Sequence, residues 1–262
     1  MDPTKAHPSR RYNYWLGGKD NFAVDRESAD TVASGFPTVA LAARENRKFM
    51  ARAVRYLARD AGVAQFLDIG TGLPSAGNVH EVAQSVDPAA RIVYVDNDPV
   101  VLVHARALLT SSPEGRTAYI DADLRDPAKI LAAPELAATL DPSRPTALML
   151  VAIMHFITDD EDPYGLVAQL VDALPSGSHI VITHATGDHL TPDEYAAAEE
   201  TNARSGVPFR LRSRAEFARF FDGLDLIDPG VTSVVDWRPD TPPEQRPSVE
   251  DVSMYCAAAR IP

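Results

Sequence analysis

Residues 66–78 read Phe-Leu-Asp-Ile-Gly-Thr-Gly-Leu-Pro-Ser-Ala-Gly-Asn, and this stretch limits the fold most strongly. A short apolar run ends in Asp68-Ile69, glycines follow at 70 and 72, and a helix-forming stretch comes next. Strand, tight turn and helix in that order mark the place where an open α/β sheet holds a nucleotide-like ligand. Glycine lets the backbone turn sharply and come close to a ligand that a Cβ would hold off. The dinucleotide fingerprint G-x-G-x-x-G does not fit, because Ser75 stands at the third glycine and Pro74 lies inside the loop. Asp68, two residues before Gly70, would repel a pyrophosphate. It suits a ligand that carries an amino group and a sulfonium.

From residue 65 onward, strand-like and helix-like stretches alternate, which predicts a doubly wound, mostly parallel α/β sheet. Apolar strands are expected at residues 65–69, 91–95, 118–120, 147–152 and 179–183, with weaker ones at 224–227 and 252–259. Asp98-Pro99, Asp126-Pro127 and Asp162-Pro163 each place a capping acid before a proline at the first helical position. Thr191-x-x-Glu194 and Ser213-x-x-Glu216 read as capping boxes, so a helical insertion is expected near residues 190–212. Ahead of the sheet, residues 44–59 predict an amphipathic helix. Phe49, Ala53, Val54 and Leu57 form its apolar side, and Arg44, Lys48, Arg52, Arg55 and Arg59 a stripe expected to face solvent. Residues 12–22 hold Tyr12, Tyr14, Trp15 and Phe22 around Gly17-Gly18, too aromatic for a disordered tail. A single domain over residues 1–262 is expected, with 1–60 as an N-terminal lid and helix and 65–262 as the sheet region.

A chain of 262 residues with 45% hydrophobic content can bury a sizeable core. Its 25 basic and 37 acidic residues give a net charge of −12, which disfavours nucleic acid and anionic membranes as partners. A small-molecule partner is expected instead. No apolar stretch reaches membrane-spanning length and no secretory signal core opens the chain, so a cytoplasmic protein is expected. The single cysteine, Cys256, sits in the apolar run 254–257 and is expected to be a buried, inert thiol.

The second strand ends in Asp96-Asn97-Asp98. An acid there is placed to accept from ribose hydroxyls, and Asp96 is preferred because Asp98 serves as a helix cap. Asp123 after the third strand can accept from an adenine amino group while Leu124 packs on the ring. The fourth strand leads through Ala152 to His155, a candidate base near a reacting centre. No histidine, cysteine or acid grouping has recognised metal spacing, and the acidic run 159–162 suits a helix N-terminus better than a metal.

Residues 65–183 resemble class I S-adenosylmethionine-dependent methyltransferases through Asp68-x-Gly70-x-Gly72, Asp96 and Asp123. The whole chain is similar to a bacterial family of methyltransferases with three segments present here. They are Tyr-x-Tyr-x-Leu-Gly-Gly-Lys-Asp-Asn-Phe at 12–22, Phe-Leu-Asp-Ile-Gly-Thr-Gly-Leu-Pro at 66–74 and Tyr-Val-Asp-Asn-Asp-Pro at 94–99. The resemblance implies a seven-stranded Rossmann-like sheet with an antiparallel last strand, and S-adenosyl-L-methionine as cofactor. It implies no acceptor. Cofactor contacts are expected from Asp68, Gly70, Thr71, Gly72, Asp96, Asn97, Asp123, Leu124 and Ala152. Arg47 is added by analogy with carboxyl methyltransferases, which hold the cofactor carboxylate with an arginine from an N-terminal helix. Tyr14 and Asn21 are expected on a lid beside the acceptor. An aminopropyltransferase-like enzyme, a nicotinamide-dependent oxidoreductase and a non-catalytic S-adenosylmethionine-binding protein stay open as alternatives.

Overall fold

The computed structural model describes residues 2–108 and 110–262. Among them, one mixed sheet holds β1 (Gln65–Ile69), β2 (Arg91–Asp96), β3 (Arg116–Asp121), β4 (Ala147–Leu150), β5 (His179–Ala185), β6 (Asp225–Leu226), β7 (Thr232–Ser233) and β8 (Met254–Arg260). The spatial order is β3-β2-β1-β4-β5-β8-β6, and β7 pairs with β8. Strands β1 to β5 run parallel, and β8 enters antiparallel beside β5. The expected mostly parallel sheet with an antiparallel last strand is present, and the two-residue β7 is an addition.

Helices α1 (Pro8–Trp15), α2 (Ala23–Gly35) and α3 (Val39–Arg59) precede β1. α4 (Val79–Val86) and α5 (Pro99–Leu108) link β1, β2 and β3, and α6 (Pro127–Leu131) and α7 (Pro134–Thr139) lead to β4. α8 (Pro163–Asp172) leads to β5, α9 (Pro192–Arg204) and α10 (Arg214–Ala218) precede β6, and α11 (Val249–Val252) precedes β8. The proline-marked starts hold: Asp126 and Asp162 accept from the N–H groups of Lys129 and Gly165 at 3.0 and 3.1 Å. Both capping boxes form, at Thr191–Glu194 and Ser213–Glu216. β4 stops at Leu150 rather than Ala152, because Ala152 takes φ +57 and leaves the extended region.

Side-chain alternation along the strands builds a core on each face of the sheet. Leu67, Ile69, Val93, Val95, Leu148 and Ile180 pack with Ile130, Leu166, Leu170 and Phe217 on one face. Phe66, Ile92, Tyr94, Met149 and Val181 pack with Phe49, Met50, Ala53, Val54 and Leu57 of α3 on the other. The chain winds from β1 outward to β3, then returns to place β4 on the other side of β1. That reversal opens a crevice beyond the C-terminal ends of β1 and β4. No helix among the described residues is long and apolar enough to cross a membrane.

One expectation for α3 fails. Arg52 does not share the solvated stripe; it is buried, and its guanidinium donates to the carbonyls of Trp237 (3.0 Å) and Val234. Trp237, wholly buried, meets Phe49 edge-on, so the loop before β8 is pinned to α3 by both an aromatic contact and a cation. Removing a partner from two buried carbonyls is costly. Arg52→Met is therefore expected to lower unfolding free energy by roughly 2–4 kcal/mol in urea titration. A midpoint equal to that of the parent would show the two contacts to be dispensable.

Candidate active site

The turn after β1 is shaped by its glycines and tied to β2. Gly70 has φ +77, and a Cβ on it would overlap Ile153. Its N–H donates to the carbonyl of Val95 at 2.8 Å. Gly72, at φ +70, donates its N–H to Asp96 Oδ2 at 2.9 Å, while Asp96 Oδ1 accepts from the N–H of Asp98 at 2.9 Å. A carboxylate offers about four acceptor positions, so about two remain on Asp96. Asn97 Nδ2 donates to Asp123 Oδ2 at 2.7 Å and joins the tips of β2 and β3. Ala152 holds a left-handed conformation that costs a non-glycine residue about 1–3 kcal/mol, and its N–H donates to Thr183 Oγ1 at 2.8 Å.

These residues face one cavity of about 500 Å³ in the crevice. Arg47, Asp68, Gly70, Thr71, Gly72, Asp96, Asn97, Asp123, Leu124 and Ala152 all line it. Arg47 Nη2 also donates to the carbonyls of Ala76 and Gly77, each at 3.1 Å, so it braces the loop below the cavity. Asp68 is buried against this floor. Burial lifts its carboxyl to about 7; the Arg47 guanidinium opposes the rise, Asp96 adds to it and Thr71 opposes it. Burial likewise raises Asp96, against hydrogen bonds from the Asp98 and Gly72 N–H groups.

The N-terminal segment forms the opposite wall, through His7, Ser9, Tyr12, Asn13, Leu16 and Gly18. Asp98, buried at the start of α5, holds it in place. Its Oδ2 lies 3.1 Å from Arg10 Nε, 3.2 Å from Ser9 Oγ and 3.3 Å from His7 Nδ1. Asp25, wholly buried, accepts from the N–H groups of His7 and Phe22 at 2.9 and 2.8 Å and lies 3.5 Å from Arg10 Nη1. Asn21 donates to Asn13 Oδ1 at 2.9 Å, and a Cβ on Gly18 would strike the Asn13 side chain. Asn21 thus supports the turn without lining the cavity, and the Tyr14 hydroxyl turns away to Asp30 at 3.2 Å.

His155 faces a second, smaller chamber of about 110 Å³. Pro8, Tyr12, Ala152 and Phe156 line both spaces and make their common wall. The His155 ring lies against Phe156, Phe209 and His184. Burial pushes it well below the usual histidine range, with His184, Arg11 and Arg212 acting in the same direction. It is neutral at pH 7, and its Nδ1 has no hydrogen-bond partner. His184 behind it is held down to about 3 by burial; its Nδ1 bonds the Ala185 carbonyl and its Nε2 accepts from Arg212 at 2.8 Å. Arg212 also donates to Met154, Ile157 and Asp159, so this pair is structural. Among the described residues, no group of three or more histidines, cysteines or acids is arranged to hold a metal ion.

The sequence matches the model of one family, described as S-adenosyl methyltransferase, over residues 1–262. The chain belongs to the S-adenosyl methyltransferase family. No curated protein matches it. A DUF574 family protein from Streptomyces avermitilis MA-4680 is similar over 100% of this chain and 99% of its own, at 47% identity and a TM-score of 0.95. A protein from Thermobifida fusca YX, a methyltransferase by assignment only, is 42% identical over 98% of this chain and 96% of its own, with a TM-score of 0.89. The N-methyltransferase NodS from Bradyrhizobium japonicum WM9 is 14% identical over 84% of this chain and 96% of its own, with a TM-score of 0.50, and shares the fold. The cofactor of this methyltransferase is accordingly S-adenosylmethionine.

The cavity suits that cofactor on its own evidence. A buried acid at its floor awaits a cation, a second acid keeps free acceptor positions, and the glycine turn leaves room at the backbone. Sequence reasoning passed over Asp98, read only as a helix cap, and Asp25, Asn13 and Arg11, which carry no local pattern. The one signal among them was for Asn13, which lies in the dense aromatic and polar stretch 12–22.

A carboxyl raised on folding binds its proton more tightly in the folded state. Asp68 thus favours the ligand-free fold below its unfolded value near 4, and that contribution is lost as pH rises through about 7. An ammonium ligand favours the carboxylate and expels the proton. At about pH 6, S-adenosylmethionine binding to the methyltransferase is expected to release about one more proton than binding to Asp68→Asn. Above about pH 8 the difference vanishes. Calorimetry in buffers of different ionisation enthalpy reads this directly, and equal release at about pH 6 would refute it.

Proposed function

We propose that this methyltransferase binds S-adenosylmethionine in the large cavity and modifies a small-molecule acceptor seated beyond Ala152. The supporting observation is the convergence of both acids and the glycine turn on one cavity at the sheet's reversal point. In this assignment Asp96 accepts from the ribose hydroxyls, while Asn97, Asp123 and Leu124 receive the adenine. Gly70, Thr71 and Gly72 give the backbone its close approach. Asp68 meets the amino group, and Arg47 turns its remaining donors to the carboxylate. When bound, the cofactor supplies an electrophilic methyl group on sulfur.

The protein's own task is then alignment and exclusion of water. The segment from His7 to Gly18 covers the cavity, and its buried ties to Asp98 and Asp25 hold the cover closed. His155, neutral at pH 7, is positioned at the second chamber to take a proton from an acceptor that carries one. The net charge of −12 supports a small molecule over nucleic acid.

Titration with S-adenosylmethionine, S-adenosylhomocysteine and NAD tests the cofactor assignment; binding of NAD alone would end it. Asp96→Ala is expected to weaken S-adenosylhomocysteine by roughly 1.5–3 kcal/mol, the scale of a charge-assisted hydrogen bond. Arg47→Met is expected to weaken S-adenosylhomocysteine but not adenosine. An equal loss for both ligands would place Arg47 in loop support alone.

A further inference from the structure

The second chamber holds an electrostatic mismatch. Arg10, Arg11, Arg52 and Arg212 are the buried arginines among the described residues. Arg10 lies against Asp98 and Asp25, Arg52 against two carbonyls, and Arg212 against Asp159, two carbonyls and His184. Arg11, only 2% exposed, has one long hydrogen bond, to Ser28 Oγ at 3.4 Å. Its Nε has no partner, and no carboxylate among the described residues lies within ion-pair distance of it. A guanidinium carries five N–H donors, and a buried cation with no anion in contact is costly; burial lowers Arg11 to about 10, and Asp25 opposes that only from beyond ion-pair distance. The rings of Trp15 and Phe156, 5.7 and 5.9 Å away, offset only part of that cost.

Arg11 and His155 both line the second chamber, and each has an unpartnered nitrogen. The rest of its lining is largely apolar, including Trp15, Val39, Phe209 and Leu211. A chamber of about 110 Å³ compares with the roughly 150 Å³ cavity that admits a benzene ring. It therefore suits one ring or a branched aliphatic group, not a polycyclic compound.

We propose that the second chamber is the acceptor site and takes a compact apolar molecule bearing a carboxylate, with Arg11 as its counter-ion. This rests on the assignment of the large cavity to S-adenosylmethionine. The order of the sheet favours it. The cofactor-side acids lie at the ends of β2 and β3, the glycine turn follows β1, and the shared wall at Ala152 follows β4. Continuing in the same direction, past the end of β5 and the start of β8, leads to Ala185, Ser253 and Met254 of the second chamber. His155 lines the same chamber, beside the apolar part of the bound molecule.

The test uses the full chain saturated with S-adenosylhomocysteine, titrated calorimetrically with benzoate and isovalerate against their neutral amides. Each acid is expected to bind at least about tenfold more tightly than its amide, as a charge-assisted contact requires. Arg11→Met should erase that preference while S-adenosylhomocysteine affinity stays unchanged, and Arg11→Lys should keep part of it. Equal binding of acids and amides, or no binding of either to the loaded protein, overturns the proposal. Failure of S-adenosylhomocysteine itself to bind overturns the cofactor assignment, and this inference with it.

Discussion

Two buried carboxylates, one residue apart at the end of β2, organise everything around the cavity. Asp96 turns inward and accepts from the N–H of Gly72, which ties the glycine turn of β1 to the next strand. Asp98 turns the other way and gathers His7, Ser9 and Arg10 from the N-terminal segment. A carboxylate out of water is unfavourable unless hydrogen bonds or cations replace its hydration. The two acids meet that requirement from opposite sides, and floor and cover of the cavity are thereby held to the same three residues.

The same logic separates structural from functional polar groups deeper in the molecule. Arg52 and Arg212 are fully engaged with carbonyls, and Arg212 with Asp159 and His184 besides. His184 is neutral and bonded at both nitrogens. His155, its neighbour, and Arg11 each keep a buried nitrogen without a partner, and both residues line the second chamber. Ala152, strained at φ +57 in the wall between the chambers, is a further departure from relaxed backbone located where two ligands would meet.

Much of this was legible along the chain. The bounds of β1, the helix starts at Pro127, Pro163 and Pro192 and the nine cavity residues at the β1–β4 ends are legible from local patterns. A proline after an acid, a glycine after a strand or an acid at a strand end acts over a few residues. Arg47 was placed by analogy alone, and α3 does carry it to the cavity. Tyr14 was singled out from the same aromatic segment as Tyr12. The helical phase of α1 turns Tyr12 to the cavity and leaves Tyr14 bonded to Asp30.

The sequence by itself determined the alternation of strands and helices and the glycine turn, because sterics, caps and burial patterns are properties of neighbouring residues, while the antiparallel last strand was implied by the family resemblance. Only the tertiary structure decided that Arg52 points inward, since a basic stripe does not say which loop will pack on it. It also decided that Arg11 and His155, 144 positions apart, line one chamber. Their meeting depends on where α1, α2 and α9 pack above the strand ends, through largely polar buried residues such as Arg10, Arg11, Asp25 and Thr201. That is a long-range packing outcome, and no spacing along the chain encodes it.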